Sequence, residues 1–351
     1  MGRLRSVLIG CGAIAREHLR VLKNLKNADV SAVCDLSPAR AQATAERFGI
    51  SKWYCSYPEM LAEVRPDLVH ITTPPSSHFA IARNCLAAGL NVLCEKPITI
   101  NYDEFDVLKQ LALENRCMLM ENHNLRFHSS IRCIDKLLKA EQLGDVVDVQ
   151  VCYTLNITSR KRPYADPNSP HYGLVLRGGV IGDFLTHIAY LAYMFSGPVL
   201  EVRTIWEKRI TDSVLPADEF RAIIKGERAT AYVAFSGNAQ PEGAWIRVSG
   251  TRMHAEANLL APPRMTLRRL RNGEPALMSL FDGIIEARDV LSGTIAGFWR
   301  KLAGSRYDGL SELITATYHT LELGEPQPIT LDEIDSVARL VNSFTKPELK
   351  L

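Results

Sequence analysis

A glycine-rich turn lies between an apolar run and a helical pattern, and it strongly limits the folds that this chain can adopt. The turn reads GCGAIA from Gly10 to Ala15. In a strand–turn–helix unit, Gly10 permits the tight turn, Gly12 lets the backbone approach a pyrophosphate, and Ala15 allows close packing of helix on strand. The free N–H groups at the helix start, at Ala13 and Ile14, then face the phosphates. The turn therefore predicts a dinucleotide-binding domain, and a tight turn without a ligand is the alternative.

An aspartate at the end of the next apolar run bears on the choice of dinucleotide. Asp35 lies 20 residues after Ala15, where a carboxylate accepts hydrogen bonds from a ribose 2′-OH and repels a 2′-phosphate. NAD is therefore favoured over NADP. Arg40 weakens this preference because it could pair with a phosphate. The alternative role for Asp35 is a cap on the following helix.

The pattern of the chain changes after about residue 122. Before that point, short apolar runs alternate with helical patterns, which indicates βαβ units and a parallel sheet. After it, strand-like runs follow one another with few helices between them, as expected for a largely antiparallel sheet. Residues 277–302 form an apolar stretch that predicts an amphipathic helix interrupted by Gly293 and Gly297. This stretch is interpreted as a packing or oligomer element in preference to a membrane-surface helix.

Composition excludes several classes of protein. The 351 residues are enough for two domains. Of these residues, 46% are hydrophobic, and the formal net charge is +2. No charge excess argues for nucleic acid. The eight cysteines contain no CxxC pair and predict buried free thiols, not disulfides or a metal site. Because no apolar stretch approaches transmembrane length and the N-terminus lacks signal-peptide features, we expect a cytoplasmic protein without a membrane span.

A lysine follows another apolar run at residues 90–94. Glu95-Lys96-Pro97 closes that run, at the end of a predicted strand. In open α/β sheets, ligands bind in the crevice outside the carboxyl ends of the strands. Lys96 is therefore a candidate reactive group beside the dinucleotide, whereas a strand-end lysine without such context is a solvated surface residue.

Several motifs together resemble the glucose–fructose oxidoreductase / inositol dehydrogenase / rhizopine-catabolism (Gfo/Idh/MocA) family. The glycine turn and Glu95-Lys96-Pro97 match the family's pattern. Further matches are TPPSSH at residues 73–78, NLRF at residues 124–127, GGVIGDFLTH at residues 178–187 and GEPQPIT at residues 324–330. Two positions depart from the family pattern. Leu185 replaces a glycine, and Tyr190 replaces an acidic residue that often follows the histidine by three positions.

The resemblance implies an α/β protein of two domains. Residues 1–122 would form an NAD(P)-binding Rossmann domain with a doubly wound parallel sheet. Residues 123–351 would form an α+β domain on an open, largely antiparallel sheet that binds substrate and joins subunits into a homodimer or homotetramer. It also implies a cis peptide bond in the Glu95-Lys96-Pro97 turn. The implied substrate is a small molecule: a sugar, a cyclitol or a nucleotide-sugar.

Three residues are candidates for the chemistry. Oxidation of a secondary alcohol needs a base for the hydroxyl proton and a positive charge or donor for the developing alkoxide. We assign His187 as the base, Lys96 as the electrostatic partner and Asp183 as the orienting group, and an exchange of roles between Lys96 and His187 stays open. Asp183 lies four residues before His187, so both share one helix face.

Other residues are candidate contacts to the cofactor or the substrate. Thr73, Pro74 and Glu95 are candidate cofactor contacts, with a structural hydrogen bond as the alternative for Glu95. His78 either caps its helix or lines the nicotinamide side. The candidate substrate contacts besides the three chemical residues are His123, Arg126, Tyr164 and Tyr172. A structural role at the domain junction is the alternative for Arg126, and it is favoured over a substrate contact. The basic residues 160–162 beside Tyr164 either bind an anionic group or form a solvated loop.

Three functions compete at this point. The leading one is an NAD-dependent dehydrogenase acting on CH–OH groups. The second is a redox-neutral glycosidase or lyase of the same architecture that retains its NAD. The third is a non-catalytic dinucleotide-binding protein, and the set of Lys96, Asp183 and His187 argues against it.

Overall fold

The chain forms two compact units. The computed structural model describes residues 3–159, 164, 171–260, 264–269, 276–302 and 309–345. One unit comprises residues 1–124 with 309–339, and the other comprises residues 125–308 with 340–351. The sequence placed a single boundary near residue 122, and the structure adds a C-terminal segment to the first unit.

Strands and helices alternate along the first unit. The strands are β1 (Leu4–Ile9), β2 (Ala28–Cys34), β3 (Lys52–Tyr54), β4 (Leu68–Ile71), β5 (Asn91–Cys94) and β6 (Leu119–Glu121). The helices are α1 (Ala13–Asn24), α2 (Pro38–Phe48), α3 (Tyr57–Val64), α4 (Pro75–Ala87) and α5 (Tyr102–Glu114). The six strands form one sheet in the order β3-β2-β1-β4-β5-β6, and all pairs are parallel. The predicted doubly wound parallel sheet is confirmed.

Local sequence explains these elements. Val7, Val69 and Leu93 are fully buried, because helices cover both faces of a parallel sheet and its strands are apolar throughout. The Ser37 side chain accepts a hydrogen bond at the start of α2, and Gly49 ends that helix with a φ of 68°. Both are ordinary helix-end signals.

The strand order reverses between β1 and β4. From β1 the chain proceeds to β2 and β3 on one side, and from β4 to β5 and β6 on the other. Such a topological switch point leaves a crevice at the carboxyl ends of the strands, where ligands bind in open α/β sheets. The glycine turn and the turn that carries Lys96 follow β1 and β5, at this edge.

The second unit is built on a seven-stranded sheet. Its strands are β7 (Val146–Thr154), β8 (Val199–Glu207), β9 (Glu219–Gly226), β10 (Thr230–Ser236), β11 (Gly243–Gly250), β12 (Met253–Asn258) and β13 (Arg264–Arg269). Their order is β13-β12-β11-β7-β10-β9-β8. Only the pairing of β7 with β10 is parallel among these strands, and the others are antiparallel. The predicted largely antiparallel sheet is confirmed.

Helices cover part of this sheet. α6 (Ser129–Lys139) precedes β7, and α7 (Gly182–Ser196) packs against β7, β9 and β10. Leu185, Ile188 and Phe195 of α7 are fully buried, so α7 belongs to the core of the unit. Leu185, where the family pattern has glycine, lies within regular helix.

The apolar stretch at residues 277–302 is one long helix. α8 (Ala276–Leu302) runs through Gly293 and Gly297, so the predicted interruption there is wrong. A glycine inside a helix costs about 1 kcal/mol relative to alanine, which is too little to end a helix by itself. Among the α8 side chains that the structure describes, eight large apolar ones are exposed: Leu280, Phe281, Ile284, Ile285, Leu291, Ile295, Phe298 and Trp299. A role in packing or oligomerisation stays a prediction.

The C-terminal segment contributes two helices, α9 (Leu310–Leu323) and α10 (Leu331–Phe344). In the first unit, Asp335 of α10 accepts a hydrogen bond of 2.6 Å from the Tyr102 hydroxyl and one of 3.0 Å from Lys109 Nζ. Arg339 Nε donates to the same carboxylate at 3.1 Å. Burial raises the pKa of Asp335, and these three hydrogen bonds outweigh burial and leave the pKa below its usual value.

Replacing Asp335 by asparagine is expected to destabilise the protein by ~1–3 kcal/mol at neutral pH, since it removes hydrogen bonds to a charged group. A depressed carboxylate pKa gives stability that is present above the unfolded-state pKa and is lost as pH falls through the folded-state pKa. The difference between wild type and Asp335→Asn should therefore shrink in acid. Urea unfolding at several pH values checks this. A difference that is the same at every pH would contradict it.

Candidate functional site

Four turns meet at the carboxyl edge of the first sheet. They follow β1, β2, β4 and β5, and begin at Gly10, Asp35, Thr72 and Glu95. Backbone and side-chain hydrogen bonds join these turns to one another, as described below. The candidate cofactor residues of the sequence analysis all lie in these turns or at the helix starts that follow them.

The glycine turn has the conformation that its sequence requires. Gly10 has a φ of 95°, and a Cβ there would approach the Thr73 backbone nitrogen to 2.7 Å. Gly12 precedes α1 without a side-chain cap, and a Cβ there would meet no atom within 4 Å. The helix start at Ala13 and Ile14 therefore opens onto clear space in this unit. A diphosphate fits there, because free helix N–H groups bind anions.

Asp35 bonds to two backbone groups. Its Oδ2 accepts a hydrogen bond of 2.8 Å from the Cys11 backbone, and its Oδ1 accepts one of 2.9 Å from the Ser37 backbone. Arg40 Nη1 lies 3.7 Å from Oδ2, and the Arg40 side chain is 60% exposed. The carboxylate thus fixes the glycine turn, and each oxygen keeps a further lone pair for a ligand hydroxyl.

The turn after β4 forms hydrogen bonds with the turns after β1 and β5. The Thr72 hydroxyl donates to the Gly10 carbonyl at 2.7 Å, and Ser77 donates to the Thr73 hydroxyl at 2.8 Å. The fully buried His78 ring lies between two carbonyls: Nε2 is 2.8 Å from Thr73 O, and Nδ1 is 2.8 Å from Pro97 O. Pro74 precedes α4 and is exposed.

The turn after β5 carries Glu95 and Lys96. The Lys96–Pro97 peptide bond is cis, as the resemblance implied. Lys96 is half-buried, whereas only 8% of Glu95 is exposed. Glu95 Oε1 accepts from His18 Nε2 at 2.8 Å and from Asn122 Nδ2 at 2.5 Å. Burial raises the pKa of Glu95, and the His18 and Asn122 hydrogen bonds and the charges of His18 and Lys96 leave it below its usual value.

A buried chain of hydrogen bonds extends behind Glu95. Nδ1 of His18 lies 3.0 Å from Nδ1 of His70, and Nε2 of His70 lies 3.1 Å from the Tyr318 hydroxyl of α9. Burial and the charge of His18 hold the pKa of His70 well below its usual value, and burial raises that of Tyr318. His18 Nε2 donates to the Glu95 carboxylate, which can only accept, and the contact of His18 Nδ1 with His70 continues the chain to Tyr318. The chain therefore orients the Glu95 carboxylate.

The sequence analysis missed His18, His70 and Tyr318. A histidine inside the buried run of β4 was the available signal for His70. Its two partners lie 52 and 248 positions away in the sequence, so their proximity depends on tertiary structure.

A second buried carboxylate supports the same turn. Glu121, at the end of β6, accepts from the Ile98 backbone at 2.9 Å with Oε1 and lies 2.8 Å from His123 Nε2 with Oε2. His123 is fully buried. This position gives His123 a structural contact, and its proposed contact to substrate stays a prediction.

The second unit holds the other candidate substrate residues. Asp183, in the first turn of α7, is 6% exposed and accepts a hydrogen bond of 2.9 Å from the Tyr172 hydroxyl. An acidic group in the first turn interacts favourably with the helix dipole. The structure thus brings Tyr172 and Asp183 together.

His187 is half-buried and lies one helical turn after Asp183. Its Nδ1 is 2.7 Å from the Tyr190 hydroxyl, which also accepts from the Leu125 backbone at 3.1 Å. The Tyr190 hydroxyl therefore holds the His187 ring at Nδ1. Tyr190 is one of the two departures from the family pattern, and its hydroxyl contacts His187 Nδ1 at 2.7 Å.

Two further candidates have different surroundings. Tyr164 packs near His171, with ring centroids 4.8 Å apart, and near Phe184 at 6.5 Å. Arg126 is half-buried in the short 3-10 turn Asn124–Phe127. The basic residues 160–162 lie outside the described residues.

Comparison with known families places the chain. Residues 4–123 match a family model described as "Oxidoreductase family, NAD-binding Rossmann fold", and residues 131–256 match the model of the GFO/IDH/MocA C-terminal domain. The chain belongs to the Gfo/Idh/MocA family. Its first unit is accordingly an NAD-binding Rossmann domain, and the resemblance inferred from the motifs is confirmed.

Named relatives are similar over part of their length. D-apiose dehydrogenase of Paraburkholderia graminis is 28% identical over 142 residues, which are 40% of this chain and 38% of the relative. Inositol 2-dehydrogenase of Rhizobium meliloti is 28% identical over 185 residues, which are 52% of each protein. The chain thus aligns with about half, or less, of these curated relatives.

Solved structures of the same fold are similar over nearly the whole chain. UDP-N-acetylglucosamine 3-dehydrogenase of Acidithiobacillus ferrooxidans superposes with a TM-score of 0.74 at 21% identity, over 98% of this chain and 97% of that one. At this identity, the match establishes the fold alone.

The described residues also bear on two other classes of site. None of the helices they form is long and apolar enough to cross a membrane. They contain no group of three or more His, Cys, Asp or Glu side chains placed to hold a metal ion.

Proposed function

We propose that this protein is an NAD-dependent oxidoreductase that transfers a hydride between a secondary alcohol and the nicotinamide. One observation carries the proposal: the glycine turn, Asp35 and Lys96 follow β1, β2 and β5 at one edge of an NAD-binding Rossmann sheet. That edge is where such sheets bind dinucleotides.

The residues present fit the cofactor. Gly12, where a Cβ would meet no atom within 4 Å, precedes the uncapped start of α1, and this open helix start suits a diphosphate. The Asp35 carboxylate is placed for a ribose hydroxyl. NAD, when bound, supplies the hydride acceptor.

The chain's own residues supply the proton chemistry. We propose that Lys96 stabilises the alkoxide oxygen of the substrate, because a cation beside a developing negative charge lowers the barrier. His187 takes the hydroxyl proton at Nε2, with its ring held at Nδ1 by Tyr190. Asp183, held by Tyr172, orients a substrate hydroxyl. Arg126, His123 and Tyr164 complete the proposed substrate contacts.

The proposed substrate is a sugar, a cyclitol or a nucleotide-sugar. The names of the relatives support this class, since they are dehydrogenases of apiose, inositol and a UDP-sugar. Purified protein incubated with NAD and a panel of these alcohols tests the proposal. Accumulation of reduced nicotinamide with at least one of them is the expected result. Turnover without net reduced nicotinamide would instead indicate the redox-neutral glycosidase or lyase.

Replacing Asp35 by serine is expected to shift the cofactor preference towards NADP. The carboxylate that repels a 2′-phosphate is removed, and Arg40 becomes available to pair with it. The ratio of NADP to NAD affinity should rise about tenfold or more, as for loss of a like-charge contact of at least ~1.4 kcal/mol. Titration of both dinucleotides checks this. Arg40→Ala in the Asp35→Ser background should reverse most of the gain, and an unchanged ratio in Asp35→Ser would contradict the proposal.

We also propose that the protein works in the cytoplasm as a homodimer or homotetramer that uses the sheet of the second unit. The eight cysteines are free thiols, which suits a reducing compartment. Among the described residues of that sheet, five large hydrophobic side chains are exposed: Val147, Leu200, Ile205, Ile223 and Tyr232. Light scattering of the purified protein tests the assembly, and a monomer at micromolar concentration would contradict it.

A further inference from the structure

We propose that the buried His78 ring carries a proton on both nitrogens and, in that form, ties the turn after β4 to the turn after β5 beneath the dinucleotide. The inference rests on the proposed function only for its link to NAD binding. The charged state of the ring is a separate claim.

The two contacts of the ring require two donors. Nδ1 lies 2.8 Å from Pro97 O and Nε2 lies 2.8 Å from Thr73 O. A carbonyl oxygen can only accept a hydrogen bond, and a neutral imidazole has one N–H and one lone pair. A neutral ring would therefore leave one lone pair facing a carbonyl oxygen at hydrogen-bond distance. An imidazolium satisfies both contacts.

The groups around the His78 ring act on its pKa in opposite directions. Burial lowers the pKa of His78 below its ordinary value, and the two carbonyls with the nearby carboxylates Glu95 and Glu121 offset this lowering only in part. Glu95 follows β5 and Glu121 ends β6, and both are buried, at 8% and 2% exposure. Lys96, next to Glu95, is the neighbouring cation of that turn. Two buried carboxylates at the same edge favour positive charge on the ring between the turns.

The position of the ring links its proton to the cofactor. Thr73 contacts the glycine turn, since a Cβ on Gly10 would strike it at 2.7 Å. Pro97 directly follows Lys96. When the ring loses its second proton, one of the two attractive contacts becomes repulsive, and the turn after β4 separates from the turn after β5. NAD binding should therefore weaken as pH rises through the pKa of His78.

The charge state can be measured without activity. In protein labelled with 15N-histidine, the His78 ring is assigned by through-space contacts to Thr73 and Pro97, so no variant is needed. At about pH 5, below the ordinary pKa of histidine, we expect two ring N–H signals with imidazolium nitrogen shifts. One protonated and one unprotonated nitrogen at that pH would overturn the proposal, whatever the protein does with NAD.

The link to NAD is measured by titration across pH. Wild-type affinity should fall about 2- to 12-fold as the second proton is lost, the range expected for one net hydrogen bond. His78→Gln, which cannot switch, should bind NAD more weakly at low pH and show no such step. His254→Gln, in the second unit, is the matched control and should keep the wild-type step. An identical step in His78→Gln would overturn the link, whereas absence of NAD binding by every form would count against the proposed function and leave the ring measurement decisive.

Discussion

Replacing Lys96 by methionine is expected to lower kcat about 10²- to 10³-fold, the usual cost of removing one group that stabilises a developing oxyanion. Methionine keeps the length and apolar stem of the side chain and removes only its charge. Steady-state kinetics with the alcohol found in the substrate screen measure the effect. The KM should change much less than kcat, because the charge acts mainly in the transition state.

The matched control for this experiment is Lys96→Arg. Arginine keeps the charge but spreads it over a planar group that does not replace an ammonium at a tight site. Partial activity in Lys96→Arg and a large loss in Lys96→Met would indicate an electrostatic role. An equal loss in both with an unchanged free energy of unfolding would indicate that Lys96 moves a proton, which is the exchange of roles with His187 left open by the sequence. Full activity in Lys96→Met would contradict the mechanism.

Replacing His187 by asparagine is expected to lower kcat about 10²- to 10⁴-fold, the contribution of a positioned general base. An imidazole titrates near 6.5 when unperturbed, so the activity of the wild type should fall as pH drops through the acid range. The variant should lose that dependence along with its rate. The pH profile of kcat/KM checks both features.

Tyr190→Phe separates positioning from proton transfer at His187. The phenol occupies Nδ1 of His187 at 2.7 Å, so its loss frees the ring to rotate without removing the base. We expect kcat to fall about 2- to 12-fold, the value of one net hydrogen bond, and the pH profile to keep its form at a shifted midpoint.

For His187→Asn, a rate within about threefold of wild type is well short of the loss expected for a general base. Such a rate would contradict the role assigned to His187.

Much of the first domain could be predicted from its sequence because local patterns determine it. The turn at Gly10 needs a positive φ and Gly12 needs open space, and the two glycines satisfy these needs in any strand–turn–helix context. The parallel sheet follows from apolar runs that alternate with helical patterns. The position of Lys96 at a carboxyl edge then follows from its place directly after β5.

Other parts depend on contacts between residues far apart in the sequence. The chain from Glu95 through His18 and His70 ends at Tyr318, which lies in a helix after the second unit. No local pattern places α9 against the first sheet. The same holds for Tyr190, which the sequence marked only as a departure from a family pattern and which proves to hold His187.

The long helix α8 shows a different reason for error. Gly293 and Gly297 suggested breaks because glycine has a low helix propensity. Propensity is a small term per residue, and a 27-residue helix tolerates two such positions. Exposed apolar side chains such as Phe298 and Trp299 line this helix, and what covers such a surface depends on tertiary or quaternary contacts, not on local sequence.

The central claim is that a hydride passes from a substrate carbon to NAD. A single-turnover experiment with a substrate that carries deuterium at the oxidised carbon tests it most directly, with the purified protein and NAD in equal amounts. The deuterium is expected in the reduced nicotinamide, which should form in proportion to the oxidised product. Product that forms while the deuterium returns to it or passes to water, with no net reduced nicotinamide, would rule out net hydride transfer to NAD.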